Sequence, residues 1–271
     1  MNPMPAGASP AISASFRHAR MAAIPLSGYP GDGVPATLAA AYAIQQASIA
    51  AWPDRVAGWK VAAIQPQWRD RYPAERLCGP VFSRSLVVAG SEPVDAPVIR
   101  GGYAAAEAEF ALRMSDSFPP HTRFESASEL LPFVAAVHAA VEMAGSPLPN
   151  LSALGPGAVI SDFGNNTGLV VGPPLDDFFA RDPAAWPVEA YVNGELAGSG
   201  SAERIPGGPL AALLFLANSL VSRGDTLRPG DWVSTGASTG VHPVQAGDRV
   251  ELRFDGRPAL ALRVCEALPA V

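Results

Sequence analysis

The stretch YAAAEAEFALRM, residues 103–114, places Glu107 and Glu109 two positions apart with a single alanine between them. The chain is otherwise sparing with charge, at 16% charged against 48% hydrophobic residues. Side chains alternate faces along a strand, so the two carboxylates share one face, opposite Ala106, Ala108 and Phe110. One reading is a half-exposed strand with a solvated acidic face. The other is a site, because adjacent like charges in an apolar setting need a cation, a shared proton or water. Hard oxygen ligands at this spacing suit Mg²⁺ or Mn²⁺. Glu142, in the apolar run VHAAVEMAG, is a third acid that is either at an edge or buried with a partner.

Other residues offer chemistry on weaker grounds. Lys60 sits between apolar neighbours in GWKVAAI, either snorkelling from a strand edge or pairing with a carboxylate or a substrate anion. Asp162 ends an apolar run at a Gly/Asn turn and by itself reads as a turn-forming residue. GASTG, 236–240, matches a nucleophile elbow around Ser238, with His242 four residues on. Such an elbow needs a helix after it, and the following VHPVQAGDRVELRF has strand character. His138 lies four residues before Glu142 and would share a helix face with it, an arrangement weaker than the three glutamates.

The elements that must hold these groups are short. The 271 residues include 26 glycines and 28 prolines, punctuation suited to many strands and turns. A helix is expected over Val34–Trp52, a strand over 56–64, and strand character through VFSRSLVVAG and APVIRGGYAAAEAEFALRM. A helix is expected from about Ser128, with Pro132 in its first turn, running toward Glu142. AVISDF and GLVVG read as short strands. PVEAYVNGELAGSG reads as a hairpin turning at Asn193-Gly194. PLAALLFLANSLVSRG is a helix closed by Gly224, and three strands finish the chain. The class is α+β, with residues 1–30 a flexible N-terminal arm, 31–75 a small helix/strand region, and 76–271 a β-rich body continuous with it. Two cysteines form neither a disulfide framework nor a zinc spacing. No apolar stretch is long enough to span a membrane. The net charge of -6 argues against nucleic-acid and anionic-membrane partners. The N-terminal residues lack a signal-type apolar stretch, so a cytoplasmic location is expected. Low charge and strand edges suggest a homo-oligomer.

AYAIQ (41–45), GWKV (58–61), CGPVF (78–82), EAEFAL (107–112), VEMAGS (141–146), SDFGNNTGLVVG (161–172), NGELAGSGS (193–201), LANSLVSRGDTLRPGDWVSTG (216–236) and VQAGDRVELRFDG (244–256) occur in this order. Together, from about residue 38 onward, they resemble the 2-keto-4-pentenoate hydratase group, with its relative 2-oxo-3-hexenedioate decarboxylase, in the fumarylacetoacetate hydrolase superfamily. The resemblance implies a mixed β-roll of fumarylacetoacetase C-terminal-domain type behind a small helical N-terminal region. It implies that Glu107, Glu109 and Glu142 hold Mg²⁺ or Mn²⁺, that Lys60 and Asp162 are catalytic, and that Val81, Phe82, Thr235 and Gly236 bind substrate. Ala62, Phe163, Gly145-Ser146-Pro147, Thr235 and Ala237 depart from the group's usual residues, which alters pocket polarity without removing a ligand. The activity implied is hydration of a 2-hydroxy-2,4-dienoate to a 4-hydroxy-2-oxo acid in aromatic catabolism. The alternatives are decarboxylation of 2-oxo-3-hexenedioate, carbon–carbon hydrolysis of an acylpyruvate, or a non-catalytic partner subunit. The hydrolase alternative needs a His–Glu pair on the N-terminal side, where only His18 is available. In this group hydratase and decarboxylase subunits can associate.

Overall fold

The computed structural model describes residues 8–270. Among them five α-helices and thirteen strands follow the order α1 (Ala8–Met21), α2 (Leu38–Ala50), β1 (Val56–Ala63), β2 (Arg76–Phe82), β3 (Leu86–Val88), β4 (Val94–Val98), β5 (Tyr103–Met114), β6 (Val134–Ser146), α3 (Leu151–Leu154), α4 (Pro156–Ser161), β7 (Asn166–Pro174), β8 (Pro187–Val192), β9 (Glu195–Ser201), α5 (Gly208–Ser222), β10 (Trp232–Ser234), β11 (His242–Pro243), β12 (Arg249–Phe254) and β13 (Arg257–Glu266). One sheet runs β2-β1-β10-β5-β6-β7-β3, with β11 also pairing β5, and a second runs β4-β13-β12-β8-β9. The first sheet curls until β2 meets β7 across its own concave face. Its convex side packs on the second sheet, where Phe110 of β5 meets Phe254 of β12 and Phe178 edge-on or tilted. This is the α+β, curled mixed-sheet architecture expected.

Local chemistry accounts for the element ends. Thr37 caps α2, its hydroxyl accepting from the Ala40 N–H at 3.2 Å. Asn193 and Gly194 both have positive φ, 53° and 85°, as the two-residue hairpin between β8 and β9 requires. Gly224, at φ 78°, terminates α5 and donates its N–H to the Val221 carbonyl.

Three expectations give way. Residues 8–21 of the supposed arm are helix α1, whose Ile12 and Phe16 are buried against Ile44, Leu148 and Leu151; residues 1–7 lie outside the described residues. The helix expected from Ser128 is a 3₁₀ segment, Ala127–Phe133, that ends where β6 begins. The alanines of VAAVHAAVEM favour a helix in isolation, but pairing on both sides, with β5 and β7, decides the outcome. AVISDF is not a strand: Gly155 at φ 79° lets the chain turn and Pro156 opens α4.

Candidate metal centre

The register of β5 against β6 builds the site. Glu107 stands directly opposite Glu142, and Glu109 opposite Ala140, so all three carboxylates project from one face. Lys60 pairs across β1–β10 with Ser234, which pairs with Ala111 of β5, and this puts the lysine on the same face. On the same face Ala111 and Ala140 pack with Val81 and Leu169 below the carboxylates. One ligand atom from each glutamate lies within 4.8 Å of the others. Glu109 and Glu142 are fully buried, Glu107 is 6% exposed and Lys60 1%.

Each of the two deepest acids commits one oxygen to the protein. Glu109 Oε2 accepts from the Gly236 N–H at 2.8 Å and from the Ser234 hydroxyl. Glu142 Oε1 accepts from Asn166 Nδ2 at 3.0 Å and faces Lys60 Nζ at 3.3 Å. The remaining oxygens, Glu109 Oε1 and Glu142 Oε2, are buried without a hydrogen-bond partner among the described residues. Second partners that fix a carboxylate while leaving its other oxygen free are what a metal ligand requires. Unpaired buried carboxylate oxygens are otherwise costly. Fully ionised, three carboxylates and one ammonium leave two uncompensated negative charges, which a divalent cation would cancel.

The titration of the metal-free cluster reflects that imbalance. Burial first, then Glu142, pushes Glu107 up to about 7 against the opposing pull of Lys60. Burial also drives Glu109 well above the carboxylate range, with Glu142 and Glu107 adding to it. Burial alone would push Lys60 down, but Glu142, Glu107 and Glu109 outweigh it and hold the amine above its ordinary value.

A cavity of about 210 Å³ opens onto Lys60 and Glu107. Beyond them its walls are chiefly Ala62, Ile64, Trp68, Leu77, Val159 and Val241, with Asn165 among the polar groups. The structure brings together Lys60, Glu107, Glu109 and Glu142. Of the other expected site residues only Gly236 reaches this cluster. Asp162 is fully buried, its Oδ1 held by Arg20 Nε at 2.5 Å and its Oδ2 by the Ser146 hydroxyl at 2.6 Å. Its carboxylate ties α1 to the body and does not reach Lys60's nitrogen as an ion-pair partner; Glu142 does. Val81 is enclosed among Ala111, Ala140 and Leu169. Phe82 packs on Trp52 and Phe163, outside this cavity. The Thr235 hydroxyl is spent on the Phe110 carbonyl, whereas Gly236 touches the site through its N–H to Glu109.

The remaining sequence candidates fall away. Ser238 donates to the Ala108 carbonyl at 2.7 Å and is fully buried with no helix after it. His138 bonds the Gly172 carbonyl through Nδ1 and lies against Trp232. Sequence reasoning missed Asn166, Ser234 and Arg20. Asn166 and Ser234 stand inside the quoted motifs, but nothing in their spacing says which carboxylate they orient. Among the described residues no helix is long and apolar enough to cross a membrane.

A 4-oxalocrotonate decarboxylase from Pseudomonas sp. (strain CF600) is 27% identical over 106 residues, 39% of this chain and 40% of that one. A 2-hydroxyhexa-2,4-dienoate hydratase from Comamonas testosteroni is 30% identical over 98 residues, 36% of this chain and 37% of that one. The matched stretch therefore spans about two fifths of each relative's length. The solved 4-oxalocrotonate decarboxylase from Pseudomonas putida G7, complexed with magnesium and adipate, superposes with a TM-score of 0.77 at 21% identity, over 94% of this chain and 97% of that one. That agreement covers most of the chain and shows a shared fold. Residues 57–265, which carry every glutamate and lysine of the site, match the family described as Fumarylacetoacetate (FAA) hydrolase C-terminal, and the chain belongs to that family.

Proposed function

We propose that this protein is a divalent-metal-dependent hydratase that adds water to a 2-hydroxy-2,4-dienoate bearing one carboxylate, giving a 4-hydroxy-2-oxo acid in the breakdown of aromatic compounds. The observation that carries the reading is the polarity of the cavity. Glu107, the outermost of the acid triad, and Lys60 line it, the other walls are largely apolar with the uncharged polar groups Gln65, Tyr103, Ser152 and Asn165, and Lys60 is the single cation among the described lining residues. A short unsaturated 2-oxo acid with an uncharged tail matches that gradient. A 2-oxo-hexenedioate substrate carries a second carboxylate, for which the lining offers no second cation. The named relatives include both a hydratase and a decarboxylase, and this difference favours the first.

The glutamates fit Mg²⁺ or Mn²⁺, which prefer oxygen ligands. Such a cation supplies Lewis acidity toward the substrate's carboxylate and 2-oxygen. Ser234, the Gly236 N–H and Asn166 hold Glu109 and Glu142 in fixed orientations, so little reorganisation is needed on binding. Lys60, kept charged by the glutamates, pairs with the substrate anion or gives its proton as the dienol becomes the conjugated enone. The largely apolar walls offer few partners to water around the distal carbon. Assembly with further copies of the chain belongs to the same proposal, supported by edge strand β3, whose Val87 and Val88 are exposed.

The test follows the ultraviolet absorbance of 2-hydroxypenta-2,4-dienoate with Mg²⁺ and then with excess EDTA, alongside CO₂ release from 2-oxo-3-hexenedioate. Metal-dependent conversion to 4-hydroxy-2-oxopentanoate without decarboxylation is expected. Decarboxylation without hydration would refute the hydratase reading and leave the metal centre standing.

A further inference from the structure

The turn between α4 and β7 carries a carboxamide that the fold leaves unused. Asn165 is 8% exposed, its Oδ1 is buried without a hydrogen-bond partner among the described residues, and it lines the cavity that holds Lys60 and Glu107. Leaving a buried amide oxygen unpaired costs about 1–3 kcal/mol. The other two such atoms, on Glu109 and Glu142, belong to the metal centre. The third calls for a hydrogen donor from a ligand.

The backbone supplies a second observation. Phe163, Gly164 and Asn165 have φ of 55°, 64° and 57°, three left-handed residues in succession. For residues with a side chain this conformation costs roughly 1–2 kcal/mol each. Packing on β2 enforces it: a Cβ on Gly79 would stand 2.0 Å from the Phe163 carbonyl oxygen, and one on Gly164 would stand 2.9 Å from Gly79 Cα. The turn thus aims Asn165 at the cavity while its neighbour Asn166 orients Glu142. Strain concentrated at a ligand-facing position is a mark of preorganisation.

We propose that Asn165 is the residue that positions the attacking water, a role that rests on the hydratase reading above. The water donates one hydrogen to Oδ1, which aims an oxygen lone pair at the distal carbon of the enone. A carboxamide does this without adding a fourth negative charge beside the glutamates, and it has no proton to titrate. In the step itself the water oxygen forms its bond to carbon 4. The π pair between carbons 3 and 4 moves toward the 2-oxygen, carbon 3 gains a proton, and the water gives one up. The net change is addition of H and OH, with nothing oxidised or reduced and Asn165 unaltered.

The test uses Asn165→Gly, which removes the carboxamide yet suits the left-handed backbone, and Asn165→Asp, which tolerates that backbone and keeps an acceptor. Asn165→Gly is expected to lower kcat for hydration about 10–100-fold with KM little changed, and Asn165→Asp to lose less. The saturated analogue 2-oxopentanoate cannot be hydrated, so metal-dependent exchange of its carbon-3 protons for deuterium, read by NMR, isolates the keto–enol step. That exchange is expected to be unchanged in Asn165→Gly. Hydration at the original rate in Asn165→Gly, or hydration and exchange falling together, would overturn the proposal. Exchange without hydration in the unaltered chain would overturn the hydratase reading first, and this role with it.

Discussion

Glu107→Gln separates what the acid cluster costs the fold from what it offers a ligand. In the metal-free chain the Glu107 carboxyl titrates at about 7, against an ordinary 4.5. Below 4.5 both folded and unfolded chains are protonated there, and stability is unaffected. Between 4.5 and about 7 the folded chain retains a proton that the unfolded chain has released, so stability falls as pH rises through that window. The full loss persists above it and reaches about 3 kcal/mol at roughly 1.36 kcal/mol per pKa unit. Glutamine has no proton to release, so at pH 8 in EDTA the variant should exceed the parent by up to that amount. For a chain of this size this raises Tm by roughly 6–12 °C. With Mg²⁺ present most of that gap closes. A cation at 100 times its Kd stabilises the parent by about 2.7 kcal/mol, whereas the variant, short of one anionic ligand, gains little. Scanning calorimetry of both proteins in EDTA and in Mg²⁺ reads all four numbers. A Gln variant less stable than the parent in EDTA would refute the reasoning that the carboxylates strain one another. Equal gains from Mg²⁺ would refute the assignment of Glu107 as a ligand.

Three further outcomes follow from packing and charge elsewhere. Arg20→Met should cost roughly 3–5 kcal/mol in urea denaturation, because it strands a buried Asp162 charge. Adding Asp162→Asn should recover much of that loss, and failure to recover would deny the pair its coupling. Gly79→Ala should displace the Phe163–Asn165 turn and destabilise by about 1–3 kcal/mol or more; an unchanged Tm would show that the turn yields freely. Asp231, pushed up to about 6 chiefly by burial, should make the folded chain lose stability as pH rises from 3.8 to about 6. Asp231→Asn should flatten that slope by up to about 3 kcal/mol, and parallel stability–pH curves for the two proteins would contradict it.

What was legible in the sequence is the chemistry that one strand can express. The alternation of Glu107 and Glu109 fixes a shared face, since period two holds wherever the segment is extended. The Asn193-Gly194 turn and the end of α5 at Gly224 were legible for the same reason, as each depends on a few adjacent dihedrals. Glu142 entered as a candidate by composition alone, and its place opposite Glu107 depends on a β5–β6 register that no local pattern states. The alanine-rich run around it points to a helix in isolation, and strand pairing on two sides overrides it. Asp162 is the converse. Beside a Gly/Asn turn it reads locally as a turn former and by resemblance as catalytic, and its ion pair with Arg20, 142 positions earlier in the chain, is visible in neither reading. That arginine lies in the segment whose mixture of basic residues and prolines, without a continuous apolar stretch, reads as an arm. Its helix is held by Ile12 and Phe16 docking on α2 and α3, a contact invisible until those elements exist. Arg20 also donates to the Gly145 and Asn166 carbonyls, at the ends of the strands that carry Glu142 and its partner. The N-terminal helix therefore braces the frame of the metal centre from outside. Changes at its Arg20 should weaken metal-dependent stabilisation as well as the fold, although no residue of α1 touches the glutamates.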